Sequence, residues 1–234
     1  MTDLDLLKKV KSRGYWKIRL IPSDFNKENL KEFSELVDIM DKSSVKLRGW
    51  PYPYFSRDKI KTNQDYIEEE VDFDYSKEIW RFYQSGQYIH FKALKIDWIK
   101  ENKWISGAIK EIQPGTVLPI ENTIYDITEF FEFFSRISKF DIYKNGINLE
   151  ISLNNTKDRE LIILDPLRAS LFQQYLCSVE SIFYERNISQ KEIIELTQDF
   201  SLKTIKHFFE RFGWLNPPLE VFRNDQDKFL KKDI

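Results

Sequence analysis

The stretch Ile79-Trp-Arg-Phe-Tyr-Gln-Ser-Gly-Gln-Tyr-Ile-His-Phe91 predicts a β-hairpin with two chemically different faces. With Ser85-Gly86 as a two-residue turn, Phe82 lies opposite Ile89 and Trp80 lies opposite Phe91, so one face is apolar. The other face then carries Arg81, Tyr83, Tyr88, His90 and Lys92. Such a face is suited to binding a partner or ligand, but its composition indicates no particular reaction.

The residues before the hairpin predict a βαβ unit. Gly14–Pro22 alternates apolar and polar side chains, as a half-buried strand does. Ser23 is a suitable N-cap for a helix that runs to about Lys42. Val45–Trp50 alternates again and predicts a second strand, parallel to the first. An alternative for part of the hairpin is a helix over Ser76–Gln84 that ends at Gly86.

The second half of the chain predicts the order helix, hairpin, strand, helix. A wide apolar stripe indicates a helix from about Asn122 or Thr123 to Ser138. Ile147–Leu153 and Glu160–Leu164 flank a polar turn and predict a second hairpin. Ser170–Glu185 is strand-like, and the capping box that begins at Ser189 starts a helix reaching Phe212. The predicted fold class is therefore α+β.

The segment 99–120 predicts a boundary between two halves, because it combines Gly107, Pro114, Gly115 and Pro119 with weak periodicity. The halves are then residues 1–105 and 120–234. The alternative is one continuous domain, since neither half is obviously self-sufficient. The expected core is aromatic-rich and contains Trp16, Ile18, Leu20, Leu36, Trp80, Phe82, Phe91, Phe130, Phe134, Ile151 and Phe208.

Composition limits the classes of function. Among 234 residues, 36 Lys and Arg balance 38 Asp and Glu, so nucleic acid is a weakly supported partner and any basic patch must be local. The single cysteine, Cys177, excludes an internal disulfide framework and a multi-thiolate metal site. The N-terminus is charged and no long apolar run occurs, so we expect no signal peptide, no membrane association and a cytoplasmic location.

A basic and aromatic sheet face is the predicted binding surface. If the strands of the first half join one sheet, cations and rings alternate on its outer side, as a phosphate-binding or stacking surface requires. The predicted binding residues are Lys17, Arg19, Arg48, Arg81, Tyr83, Tyr88 and His90. The alternative is a structural face, because Glu70, Asp72 and Asp74 lie on the adjoining strand and can neutralise Arg81 and Lys92.

Motifs for catalysis are mostly absent. The chain has no glycine-rich phosphate loop and no Gly-x-Ser-x-Gly elbow. Neither His90 nor His207 has neighbours at metal-ligand spacing, so we predict no metal and no cofactor. His90 is the better candidate for proton transfer. A metal-dependent nuclease would draw its ligands from Asp72, Asp74, Glu150, Asp165 and Glu180, but their spacing matches no known ligand pattern.

Four segments carry a resemblance: Arg13-Gly-Tyr-Trp16, Leu47-Arg-Gly-Trp50, Trp80-Arg-Phe-Tyr-Gln-Ser-Gly-Gln87 and Phe209-Glu-Arg-Phe-Gly-Trp214. Together they resemble an uncharacterised family of bacterial cytoplasmic proteins of about this length, over nearly the whole chain. The resemblance implies a bacterial cytoplasmic protein and carries no activity, cofactor or site residue. The sequence thus predicts a non-enzymatic binding or adaptor protein that contacts a protein partner or a second copy. The alternative is a metal-dependent nucleic-acid-processing enzyme.

Overall fold

An antiparallel sheet of seven strands forms the centre of the computed structural model, which describes residues 3–24, 26–101 and 111–232. Its strands are β1 (Tyr15–Pro22), β2 (Lys61–Thr62), β3 (Tyr66–Phe73), β4 (Ser76–Tyr83), β5 (Tyr88–Ala93), β7 (Ile147–Asn154) and β9 (Ser181–Ile188). They lie in the order β2-β3-β4-β5-β1-β7-β9. Two shorter strands, β6 (Val117–Pro119) and β8 (Glu160–Ile162), form a separate parallel pair.

The α-helices pack mainly on one side of the sheet, and the α+β class is confirmed. They are α1 (Asp3–Lys11), α2 (Phe33–Ser43), α3 (Ile120–Ile137), α4 (Gln190–Glu195), α5 (Thr197–Glu210) and α6 (Leu219–Lys231). Short 3-10 turns occur at Arg57–Lys59, Lys95–Glu101 and Asp141–Tyr143. Helix α3 is central because it contacts α2, α4, α5 and α6. Within the described residues, no helix combines the length and the apolar character needed to cross a bilayer.

The two faces of the sheet have different partners. The predicted alternation of β1 is confirmed: Trp16, Ile18 and Leu20 are fully buried. We call the side on which they lie the helix face, because the Trp16 ring meets Phe130 of α3 at 5.7 Å and Phe208 of α5 at 5.0 Å between centroids. The other side, which we call the α1 face, carries a smaller core of Leu6, Val10, Ile79, Ala93 and Trp98.

The β4–β5 hairpin is confirmed, but its loop is one residue longer than predicted. The Tyr83 N–H donates to the Gln87 carbonyl at 2.9 Å, and the Gly86 N–H donates to the Tyr83 carbonyl at 2.8 Å. Residues 84–86 therefore form a three-residue loop, in which Gly86 has φ of 84°. Glycine takes this left-handed conformation without the penalty that a Cβ brings.

The longer loop changes the register by one residue and exchanges the faces of β5. Phe82 pairs with Tyr88 and Trp80 pairs with His90, so Tyr88 and His90 lie on the helix face and are fully buried. The prediction that they share an exposed face with Arg81 and Tyr83 is wrong, because a slip of one residue turns every side chain over. Phe91, which the sequence assigned to the main core, packs half-buried in the core of the α1 face for the same reason.

The predicted βαβ unit is wrong. Strands β5 and β7 occupy both edges of β1, each antiparallel to it, which leaves no edge for a parallel partner. Val45 instead makes an isolated antiparallel bridge with Tyr52. Helix α2 begins at Phe33 rather than after Ser23, since its capping box is formed by Glu32 and Glu35.

The second half follows the prediction in its helices and departs from it in its strands. Helix α3 and the capping box at Ser189 are confirmed, although the last long helix is divided at Leu196 into α4 and α5. The predicted hairpin of β7 with β8 is wrong, because β7 pairs with β1 and β9 while β8 pairs with β6. Of the predicted strand Ser170–Glu185, only the part from Ser181 is in β9.

The two predicted halves contribute to one sheet and one main core. Strand β1 of the first half pairs along its whole length with β7 of the second. Trp16 and Phe208 belong to the same cluster of buried side chains. Of the predicted boundary segment, residues 102–110 lie outside the described residues, so the division into halves stays a prediction.

Candidate functional site

A cavity of about 430 Å³ opens on the helix face, where β3, β4 and β5 meet the 48–54 segment and α3. Its walls are partly aromatic and partly charged. The lining includes Arg48, Trp50, Tyr54, Glu78, Lys92 and Lys95. A volume of a few hundred cubic ångströms, with mixed walls of this kind, is typical of small-molecule sites.

Distant parts of the sequence bring these side chains together. Glu78 of β4 lies directly opposite Lys92 of β5 on the helix face. The 45–52 loop is closed by hydrogen bonds of 2.8 Å and 2.6 Å between the backbones of Val45 and Tyr52, and it holds Arg48 against α3. Asp126 and Glu129 face this loop because residues three apart lie on the same side of a helix.

An ion network forms the inner wall of the cavity. The Arg48 guanidinium donates to Asp126 at 2.5 Å and also to Glu129, and the Lys92 ammonium donates to Asp126 at 2.5 Å. Burial alone would raise the pKa of Asp126, but Lys92 and Arg48 outweigh burial and hold that pKa below its usual range. Arg48 and Lys92 therefore share the charge of Asp126, which stays ionised.

A chain of three hydrogen-bonded side chains lies beside the network. The Tyr52 hydroxyl is 3.2 Å from His90 Nδ1, and His90 Nε2 is 2.9 Å from a Glu78 carboxylate oxygen. Burial lowers the pKa of His90 and outweighs the opposing effect of Glu78, so the imidazole is neutral. Because an ionised carboxylate only accepts, Nε2 carries the proton and Nδ1 accepts from Tyr52.

Lys95 differs from Arg48 and Lys92 in its surroundings, which are aromatic. Its ammonium lies 5.3 Å from the ring centroid of Trp50 and 5.6 Å from that of Tyr75. Among the described residues, no carboxylate lies within salt-bridge distance of it. Burial lowers the pKa of Lys95 to about 8, and the charges of Lys92 and Arg48 act in the same direction.

The predicted binding residues are divided among three places. Lys17, Arg19, Arg81 and Tyr83 lie on the α1 face, Tyr88 and His90 on the helix face, and Arg48 in the loop beside α3. Arg19 pairs with Glu150 at 2.8 Å, and Arg81 pairs with Glu68 at 2.5 Å. A binding role for these residues stays a prediction.

Arg81 and Lys92 are neutralised by carboxylates other than those predicted from the sequence. Arg81 pairs with Glu68 rather than with Glu70, Asp72 or Asp74, and Lys92 pairs with Asp126 of α3. Glu70 pairs with Lys61, and Asp72 with Lys9 and Lys77. Arg81 and Tyr83 both contact the ring of Tyr66, the former with its guanidinium 5.0 Å from the centroid.

Sequence reasoning missed most of the cavity. It singled out Arg48 and His90, but not Glu78, Lys95, Asp126 or Glu129. One signal was available, since Asp126 and Glu129 are buried and fall among the apolar residues of α3. Buried carboxylates on such a helix require cationic partners, which here come from the 48–54 segment and β5.

The carboxylates of the nuclease alternative lie in separate elements. Glu150 on β7 pairs with Arg19, and Asp165 pairs with Arg168 at 3.2 Å. Within residues 3–24, 26–101 and 111–232, no group of three or more His, Cys, Asp or Glu side chains is arranged to hold a metal ion. Cys177 is buried.

Comparison of the chain with family models, with curated proteins and with solved structures gave no match. The resemblance to a bacterial family therefore stays a prediction.

Proposed function

We propose that this protein binds a small organic anion with a flat apolar body in the cavity on the helix face. The observation that carries the proposal is Lys95, a half-buried cation in the cavity wall with no carboxylate partner among the described residues. A partly desolvated cation without a counter-ion is unfavourable. A bound carboxylate would supply that counter-ion.

The aromatic walls support the flat shape of the ligand. Trp50, Tyr52 and Tyr54 line the cavity together with Val71 and Phe73. Planar apolar groups stack well against such rings. Two carboxylates that line the same space, Glu78 and Glu129, already accept hydrogen bonds from His90 and Arg48, so they offer no unpaired charge to a cationic ligand. The proposal keeps the function expected from the sequence, a binding protein, but uses the helix face of the sheet instead of the face predicted from the sequence.

Calorimetry with benzoate as the probe tests the proposal. We expect wild-type protein to bind benzoate and to bind benzylamine, its cationic analogue, at least tenfold more weakly. Lys95→Met should weaken benzoate binding tenfold or more, which corresponds to about 1.4 kcal/mol. Lys144→Met is the matched control, because Lys144 is exposed and does not line the cavity. Equal benzoate affinity of wild type and Lys95→Met, or no binding of benzoate at millimolar concentration, would overturn the proposal.

A bacterial cytoplasmic location belongs to the same proposal. It is supported by the resemblance and by a single cysteine, which suits a reducing compartment. Fractionation of the native host with an antibody against the protein tests it, and recovery with the periplasmic fraction would contradict it.

A further inference from the structure

We infer that Lys95 reacts with small aldehydes or ketones in the cavity and holds them as an imine. The inference rests on the proposed function, since it requires the cavity to admit a small organic ligand. It goes beyond reversible binding, because a covalent bond forms to a named side chain.

The position of Lys95 favours a neutral amine, which is the nucleophilic form. Its side chain is half-buried, and its nitrogen lies 5.3 Å and 5.6 Å from the ring centroids of Trp50 and Tyr75. Among the cations that line the same cavity, Arg48 and Lys92 disfavour a further positive charge on Lys95. Desolvation and neighbouring cations are the two means by which proteins make a lysine nucleophilic.

The charged groups around Lys95 come from four elements. Arg48 of the 48–54 segment and Lys92 of β5 lower its pKa, while Asp126 of α3 and Glu78 of β4 raise it. Burial has the largest effect, and the resulting pKa of about 8 leaves a substantial fraction of Lys95 neutral near pH 7 to 8.

The chemistry needs no oxidant, reductant or cofactor. The Nζ lone pair forms a bond to the carbonyl carbon, and a proton passes from nitrogen to the former carbonyl oxygen to give a carbinolamine. That hydroxyl then takes up a proton from solvent and leaves as water while the C=N bond forms, which gives the protonated imine. Glu78 lines the cavity and is hydrogen-bonded to His90, so its carboxylate can accept the proton from nitrogen and pass it to the oxygen.

Reductive trapping with benzaldehyde as the probe tests the inference. The full chain is incubated with benzaldehyde and sodium cyanoborohydride, digested, and analysed by mass spectrometry. We expect N-benzylation of Lys95 at least tenfold above that of the exposed Lys144 in the same molecules. The rate of labelling at Lys95 should rise with pH, with a midpoint near 8. Benzoate should suppress it, because a bound carboxylate stabilises the ammonium and fills the cavity.

The comparison within wild-type protein does not depend on the folding of any variant. Equal labelling of Lys95 and Lys144 would overturn the inference, as would labelling of Lys95 that benzoate leaves unchanged. If benzoate binds but Lys95 is not preferentially labelled, the imine inference is wrong and the proposed function stands. If benzoate does not bind and Lys95 is not preferentially labelled, the inference and the proposed function are both wrong.

Discussion

Asp97 and Arg159 show how single residues hold distant segments together. Both side chains are about 1% exposed, and the guanidinium donates to the carboxylate at 2.9 Å and 2.5 Å. Asp97 also accepts from the backbone N–H groups of Gly14 and Gly115, each at 2.8 Å. A side chain at Gly14 would collide with the Arg159 guanidinium, which explains the glycine immediately before β1.

Replacing Asp97 with Ala should therefore destabilise the protein by about 3–5 kcal/mol, since it leaves the buried Arg159 without its counter-ion. Urea unfolding monitored by circular dichroism measures this. The control is Arg57→Ala, which removes an exposed pair with Asp38 and Asp41 and should hardly move the midpoint. Equal midpoints for Asp97→Ala and Arg57→Ala would contradict the assignment of Asp97 as a structural centre.

We predict that Glu69 makes the free energy of unfolding depend on pH. The residue is 1% exposed, and one carboxylate oxygen accepts from the Ser56 N–H at 2.9 Å. Its other oxygen is buried without a hydrogen-bond partner among the described residues. Burial raises the pKa of Glu69 from 4.5 to about 7.

Because the folded pKa is the higher one, the folded protein binds this proton more tightly than the unfolded chain does. The stabilisation is fully present below pH 4.5 and is lost as the pH rises to about 7. Glu69→Gln is neutral throughout, so its stability relative to wild type should increase by on the order of 3 kcal/mol between pH 4 and pH 8. Urea unfolding at both pH values tests this, and a constant difference would contradict it.

At the scale of elements, the β4–β5 hairpin depends on its register. With the three-residue loop, His90 is buried and bonded to Tyr52 and Glu78. His90→Ala should then cost about 1–3 kcal/mol for each partner left unsatisfied. A two-residue turn would place His90 on the exposed side, where its removal should cost little. The NMR cross-peak expected between the rings of His90 and Tyr52, whose centroids are 5.5 Å apart, is an independent check.

Trp80→Ala is expected to cost about 3–5 kcal/mol, because Trp80 is 1% exposed and its indole N–H donates to the Tyr54 carbonyl at 2.7 Å. Thermal and urea unfolding measure the loss. Both registers bury Trp80, so a small effect would contradict the burial of the helix face and would say nothing about the loop length.

The sequence predicted local features well and long-range pairing poorly. The alternation of β1, the apolar stripe of α3 and the capping box at Ser189 are encoded by neighbouring residues. The pairing partners of β1 and β8 are not encoded by neighbouring residues, because strand pairing depends on segments far apart in the chain. The prediction of the cavity failed because its side chains come from three strands, from α3 and from the segments beside them. In addition, the one-residue error at Gly86 had placed His90 and Lys92 on the wrong face.

At the scale of the whole molecule, β1 is the strand that joins the two halves. It lies between β5 and β7 and pairs with each along most of its length. We expect the halves to stay associated after the chain is cut within 99–120, because these hydrogen bonds and most of the shared core lie outside that segment. Limited proteolysis followed by gel filtration under native conditions tests this. Elution of two separately folded fragments would instead support the division into domains.

The proposed anion binding and the proposed imine both depend on the protonation of Lys95, so the pKa of Lys95 is the most direct measurement. Protein labelled with ¹³C at the lysine ε-carbon gives one NMR signal per lysine, and loss of a signal in Lys95→Met assigns it. We predict that Lys95 titrates with a midpoint near 8 in the free protein, and that saturating benzoate raises this midpoint. A midpoint near the ordinary lysine value of 10.5, unchanged by benzoate, would contradict both the site and its proposed use.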